Sequence, residues 1–291
     1  MSTLVENVAK VTAAHAALKT AIASKGVAVP DGTKLSAMPA LVEQIQTGGA
    51  TEPTNPRAVF AYDGSNSIVV PKILVVDMTT ATDLSSCFSY CTKMTSLTLP
   101  DGFGQAATTL SYCFRNCPGI TSLSLPAGFG QAATDLGHCF HDCNFLASLT
   151  LPDRFGQNST SLYYCFCNCY KLASLTLPDG CGQEATSLGS CFCNCNALTS
   201  LHLPSGFGQN ATTLYNCFYG CSALTDITGN PNFKESVGFS YSKNLTHDSL
   251  MVVINGLQTV TGKTLTLGTT NLAKLTDAEK KVATDKGWTL A

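Results

Sequence analysis

One spacing constrains this chain more than any other feature. Cys87, Cys113, Cys139, Cys165, Cys191 and Cys217 fall 26 residues apart, and Phe88, Phe114, Phe140, Phe166, Phe192 and Phe218 follow them directly. A second cysteine column, Cys91, Cys117, Cys143, Cys169, Cys195 and Cys221, completes six copies of Cys-Phe-x-x-Cys. The leucines keep step. Leu84, Leu110, Leu136, Leu162, Leu188 and Leu214 precede the Cys-Phe pair, and Leu97, Leu123, Leu149, Leu175, Leu201 and Ile227 follow it. Leu99, Leu125, Leu151, Leu177 and Leu203 come next, closed by Pro100, Pro126, Pro152, Pro178 and Pro204. A period of this length marks stacked coils, because a single coil cannot bury its own apolar face and neighbours must stack to make a continuous core.

Within each period, Leu-x-Leu-Pro alternates apolar and polar residues, which predicts a short strand with its leucines inward, ended by proline. Stacked copies would form a parallel sheet. Gly102-Phe-Gly-Gln105 and its copies predict a turn that carries the chain to the other face. Arg154 stands for the first glycine in the third copy, and Cys181 for the phenylalanine in the fourth.

The pattern Leu-x-x-x-Phe-x-x-Cys-x-x-Leu-x-x-Leu-x-Leu-Pro resembles the BspA-like leucine-rich repeats of bacterial surface proteins, over roughly residues 84 to 229. The coil here is longer, because Gly-Phe-Gly-Gln-x-x-Thr enlarges the turn, and Cys stands where the family more often has Ala before Phe. The resemblance implies a leucine-rich-repeat solenoid, with a parallel sheet on one face and turns on the other, and a role in recognition. The expected organisation is a helical region over 1–47, a linker over 48–56, the solenoid over 57–229 and an α+β cap over 230–291.

The ends depart from the period. Leu4, Val8, Val11, His15, Leu18 and Ile22 form a heptad seam stopped by Gly26, which predicts an amphipathic helix that packs on its own chain or self-associates. Leu41 to Ile45 predicts a second short helix. At the other end Thr246 is a helix cap, Lys263 to Leu267 reads as a strand, and Thr276-Asp-Ala-Glu279 is a capping box opening a helix that ends before Gly287. Trp288 follows. This segment and the Gly-Val-Ala-Val-Pro-Asp-Gly-Thr stretch near the start are similar to pieces of prophage tail or structural proteins of gut bacteria, some flanking BspA-like repeats. That similarity implies a phage-associated or surface protein.

Composition narrows the chemistry. Charged residues make up 12% of the chain, against about 25% in ordinary domains, so the surface is built from Ser, Thr, Asn, Gln and Tyr. Net charge is −2, with no basic block, which argues against nucleic acid as partner. No apolar run reaches the ~18 residues of a membrane span, and the first residues lack the basic and apolar regions of a secretion signal. A virion or bacterial surface fits best, with the cytoplasm as the alternative.

No catalytic, cofactor or metal pattern stands out. Twelve of the fifteen cysteines align with core leucines and phenylalanines, and so read as small buried hydrophobes. Cys167 and Cys193 share a column with Ser89, Arg115, His141 and Tyr219, which predicts exposed neighbouring thiols. A straight ladder does not give four converging zinc ligands. His138, His141 and Asp142 lie close together but lack a nucleophile, so an enzyme is not expected.

The strand positions flanking the core leucines are uniform. They hold Ser96, Ser122, Ser148, Ser174 and Ser200, with Thr98, Ser124, Thr150, Thr176 and His202. A sheet of short hydroxyls is well hydrated and offers few anchors. The positions around Cys-Phe vary and carry Tyr112, Arg115, His138, His141, Tyr163, Tyr164, Tyr170, Tyr215 and Tyr219. Tyrosine and arginine are favoured contact residues. These nine are the candidate binding residues, for a protein or glycan ligand. The competing class is an intracellular scaffold for another protein.

Overall fold

A computed structural model of the chain describes residues 80–291 and the backbone of residues 67–69. The N-terminal seam, the second short helix and the linker lie outside the described residues. The described part belongs to one compact unit.

Each coil contributes one short strand: β1 (Ser67–Val69), β2 (Ser96–Thr98), β3 (Ser122–Ser124), β4 (Ser148–Thr150), β5 (Ser174–Thr176), β6 (Ser200–Leu203) and β7 (Asp226–Gly229). Pairing is parallel, β1 with β2, β3 with β4, and β5 with β6 with β7, each residue opposite the one 26 positions on within the last five. The central leucine of β3, β4 and β5 is buried and its two hydroxyl neighbours are exposed. Those neighbours form the uniform hydroxyl face expected from the alternation.

The core is a set of ladders along the stack. The Phe88, Phe114, Phe140, Phe166, Phe192 and Phe218 rings lie nearly parallel, with centroids 5.2–5.6 Å apart. A second ladder joins Phe103, Phe129 and Phe155 at 6.2 and 6.4 Å. The Gly-Phe-Gly turn makes this second ladder possible. A Cβ on Gly130, whose φ is +71°, would meet the Phe155 ring of the next coil at 2.8 Å. Beneath Cys181 a Cβ on the corresponding Gly156 would meet the sulfur at 3.1 Å, and the aromatic ladder is interrupted there.

All fifteen cysteines are buried free thiols. In the second column, from Cys117 onwards, each Sγ–H donates to the carbonyl of a phenylalanine 29 residues earlier, at 3.0 Å (Cys117 to Phe88), 3.1 Å (Cys143 to Phe114), 3.3 Å (Cys169 to Phe140), 3.2 Å (Cys195 to Phe166) and 3.1 Å (Cys221 to Phe192). Cysteine suits this site because it is apolar and small yet still a weak donor. Burial pushes the Cys143 and Cys221 thiols up to about 12. Threonine ladders run outside the core: Thr134, Thr160, Thr186 and Thr212 hydroxyls each donate to the carbonyl of the threonine 26 residues before, at 3.0–3.2 Å.

Beyond residue 230 the period is lost but stacking is not. Helix α1 (His247–Asn255), capped by Thr246, lies against β7, and Ser249 Oγ accepts from Ile227 N–H at 2.9 Å. The helix thus covers the open edge of the last strand. Strands β8 (Val237–Gly238), β9 (Lys263–Thr266) and β10 (Trp288–Leu290) form a second parallel sheet, while α2 (Gly268–Leu272) and α3 (Asp277–Asp285) complete the cap. The capping box of Thr276 and Glu279 is formed. The pair β8 and α2 has no counterpart in the sequence expectations.

Candidate functional site

The variable residues occupy the side of the coil opposite the strands, where Leu-x-x-Cys-Phe-x-x-Cys turns back. Two backbone positions of every coil are left-handed there. The first column holds Ser86, Tyr112, His138, Tyr164, Ser190 and Asn216, with φ from 53° to 59°. The second holds Tyr90, Asn116, Asp142, Asn168, Asn194 and Gly220, with φ from 56° to 75°. Asparagine, aspartate and glycine tolerate this region, and bulky residues rarely adopt it. Beyond Tyr90 the second column follows that rule and adds a side-chain ladder, in which Asn194 Nδ2 donates to Asn168 Oδ1 at 2.9 Å and Asn168 Nδ2 to Asp142 Oδ1 at 2.8 Å.

The first column departs from it in three consecutive coils. Tyr112, His138 and Tyr164 stack face to face, with centroids 4.6 and 5.0 Å apart and planes within 8°. Ser86 and Ser190 hold the same backbone with small side chains, so the coil does not require rings here. A left-handed non-glycine residue costs ~1 kcal/mol or more, and stacking returns a similar ~0.5–1.5 kcal/mol per pair. Ser86 and Ser190 bear the same backbone cost, so what the rings add over serine is the stacking, and the coil forms without it in those two copies.

Around this stack the structure gathers most of the predicted residues. Arg115 Cζ lies 5.4 Å from the ring centroids of both Tyr90 and Tyr112. Its Nε is buried and has no hydrogen-bond partner among the described residues. His141 packs edge-on against His138 and Tyr164, and Tyr163 edge-on against Tyr164 at 4.5 Å. The Tyr163 ring rests on Gly189 of the next coil, where a Cβ would come within 3.1 Å. Tyr90 and Tyr163 are exposed, while Tyr112, Arg115, His138, His141 and Tyr164 are half-buried. The result is a continuous, partly desolvated aromatic surface with one guanidinium inside it.

The histidines are held neutral. Burial, then the charges of His141 and Arg115, lower His138 to about 4. Burial likewise lowers His141, against the opposing pull of Asp142, whose carboxylate lies 3.5 Å from Nδ1. The two Nδ1 atoms are 3.5 Å apart. With both imidazoles neutral, the ionic groups beside the stack are the Arg115 guanidinium and the Asp142 carboxylate.

Other predicted residues lie elsewhere. Tyr170 is exposed further along its coil. Tyr215 and Tyr219 sit at the last coil, where Tyr219 packs on Tyr241 at 4.4 Å. Tyr90 and Tyr241 were missed by sequence reasoning. Tyr90 falls in a column otherwise of Asn, Asp and Gly, and Tyr241 lies beyond the last repeat. Their aromatic type alone was the available signal.

Cys167 and Cys193 correct the sequence expectation. They are only 2% and 9% exposed. Each is small and stands in a column flanked by the larger His141 and Tyr219, and the two thiols contact each other. Accepting a hydrogen bond from Cys167 makes Cys193 the more acidic of the pair. Among the described residues no three His, Cys, Asp or Glu side chains converge on one point, and no helix is long and apolar enough to cross a membrane. The hydroxyl face carries a shallow depression of about 400 Å³ at its edge, beside Asp153, Arg154, Asp179 and His202.

A stack of parallel coils with a uniform face and a variable face defines a repeat scaffold that presents side chains. The family model for the BspA type leucine rich repeat region matches residues 76–183 and 163–274, in six copies. The chain belongs to that family. Among solved structures, it is similar to a leucine-rich repeat protein from Bacteroides ovatus ATCC 8483, at 17% identity over 69% of this chain and 51% of that one, with a TM-score of 0.36. It is also similar to a leucine rich cell surface protein from Faecalibacterium prausnitzii A2-165, at 16% identity over 56% of this chain and 59% of that one, with a TM-score of 0.30. The chain thus spans a little over half the length of each. No curated protein matches it significantly.

Proposed function

We propose that this protein is a non-enzymatic binding or adhesion protein that recognises a protein or glycan through the aromatic cluster on its variable face. The observation that carries this reading is the ring stack of Tyr112, His138 and Tyr164, built in left-handed positions that Ser86 and Ser190 fill without rings. The coil forms without rings at Ser86 and Ser190, so rings at the other three copies are free to serve what the coil presents. Tyr90, Arg115 and Tyr163 extend the stack with the residue types that dominate binding energy at interfaces. The charge-poor surface, the repeat family and the phage-like end segments support display on a phage tail or a bacterial surface.

The second reading, an intracellular scaffold, is favoured by one observation. Fifteen cysteines remain thiols, as they would in a reducing compartment. Fractionation of the producing cells or virions separates the two. Capture from bacterial envelopes, together with a glycan array, supplies the ligand. Binding that survives Tyr163→Ala with Tyr90→Ala but is lost with Thr150→Ala and Thr176→Ala would place recognition on the hydroxyl face instead.

A further inference from the structure

The hydrogen-bond ladder that joins coil to coil stops at one place. In the fifth coil the N–H groups of Leu188, Ser190, Phe192 and Asn194 donate to the carbonyls of Thr213, Tyr215, Cys217 and Tyr219, at 3.1, 2.8, 2.9 and 2.7 Å. The same donors one coil later belong to Leu214, Asn216, Phe218 and Gly220, and among the described residues none of them has an acceptor. The cap reaches this coil through Phe239, whose ring lies 4.5 Å from that of Phe218. Strand β8 pairs away from the coil, with β9. Between the coil and β8 lies a cleft of about 370 Å³, with Leu214 and Asn216 in its wall. Two residues whose main-chain N–H groups have no acceptor among the described residues therefore stand in its wall, where a ligand oxygen can supply one.

The rest of the cleft is aromatic and hydroxylic. Tyr215, Tyr219 and Tyr241 stand around it and are 75%, 40% and 47% exposed. Ser240, Thr264 and Thr266 line the opposite wall, and no charged side chain lines it. We propose that this cleft is a binding site for a neutral saccharide of one or two pyranose residues. Its volume falls in the range of small-ligand pockets, roughly 300–1,000 Å³. Tyrosine rings match the C–H faces of a sugar, and hydroxyls that both donate and accept match its hydroxyls. The lack of a cation leaves carboxylated or sulfated sugars without a partner. An extended peptide would need the whole row of donors, but the Phe218–Phe239 stack closes its far half.

This site is separate from the Tyr112–Tyr164 cluster. It rests on the reading of the chain as a binding protein but not on where that reading places the main surface. The test uses the full chain on an array of neutral, sialylated and sulfated saccharides, with a peptide library in parallel. The expected result is binding to neutral saccharides, weakened about tenfold or more by Tyr219→Ala with Tyr241→Ala and unchanged by Thr150→Ala with Thr176→Ala. Melting curves of the variants check that they fold, and Tyr219→Phe, which keeps the ring, should retain most of the binding. Binding to anionic sugars alone, to peptides alone, to nothing on the array, or undiminished in the folded double variant overturns the assignment. Loss with Tyr163→Ala would move the saccharide to the central cluster.

Discussion

Phe166→Ala probes the stacked core at its middle. Phe166 is fully buried and its ring lies 5.5 Å from Phe140 on one side and 5.5 Å from Phe192 on the other. Truncating such a ring costs ~3–5 kcal/mol. Of this, the two ring pairs account for ~1–3 kcal/mol at 0.5–1.5 each. Phe166→Leu keeps most of the buried area and loses the pairs, so it should cost only that smaller amount. Coils contact only their neighbours, so the alanine defect weakens the coupling between the two halves of the stack. The assay is urea denaturation followed by far-ultraviolet circular dichroism and by fluorescence of Trp288, the single tryptophan, which sits in the cap. The two signals should coincide in the wild type and separate in Phe166→Ala, with the tryptophan transition moving less. A cost under ~1 kcal/mol for the alanine variant, or equal costs for alanine and leucine, would refute the ladder as a source of stability.

Three further outcomes follow from the same structure. In native protein the thiols should resist a disulfide-exchange reagent, with Cys193 the first to react because it is the most exposed cysteine and the more acidic of its pair, and all fifteen should react in denaturant; rapid labelling of most of them in the native state would contradict the cysteine ladders. His138 and His141 have lowered pKa values, so the unfolded chain takes up protons first as pH falls through 6.5, and His138 follows in the folded state only near 4; melting temperature should decline across that window, the decline should shrink in His138→Asn, and a flat profile in the wild type would refute the desolvated cluster. Deleting residues 230–291 removes α1 from the edge of β7 and should cause aggregation, whereas a monomeric truncation with unchanged melting would show that the cap is dispensable.

The coil was legible because its period is written in residues that cannot be exchanged freely. A buried phenylalanine ladder and an S–H donor to the phenylalanine carbonyl of the preceding coil leave few substitutes, so the columns Cys87, Phe88 and Cys91 recur, and the glycines under Phe129, Phe155 and Phe207 fix the Gly-Phe-Gly turn in the same way. The caps at Thr246 and Thr276 were legible for the same reason, since a side-chain oxygen must meet a free N–H. The left-handed columns were harder to see. Asn116, Asn168 and Asn194 hint at one of them, but Tyr112, His138 and Tyr164 mask the other with residues that normally avoid it. The burial of Cys167 and Cys193 depends on neighbours 26 residues away being larger, which their own type does not reveal. Tyr241 joined the candidate surface only through the cap, where the period no longer guides the eye.

The most direct test of the binding account compares one ligand on four proteins: wild type, Tyr163→Ala, Tyr90→Ala with Tyr163→Ala, and Thr150→Ala with Thr176→Ala. The ligand is whichever envelope protein or glycan the wild type captures, measured by calorimetry at one salt concentration. Both tyrosines are exposed, and the position of Tyr163 accepts serine or glycine in four other coils, so folding should be little changed. The account predicts a loss of ~2 kcal/mol or more for Tyr163→Ala, a larger loss for the tyrosine pair, and none for the threonine pair. Full affinity in the tyrosine pair, with or without loss in the threonine pair, would contradict it.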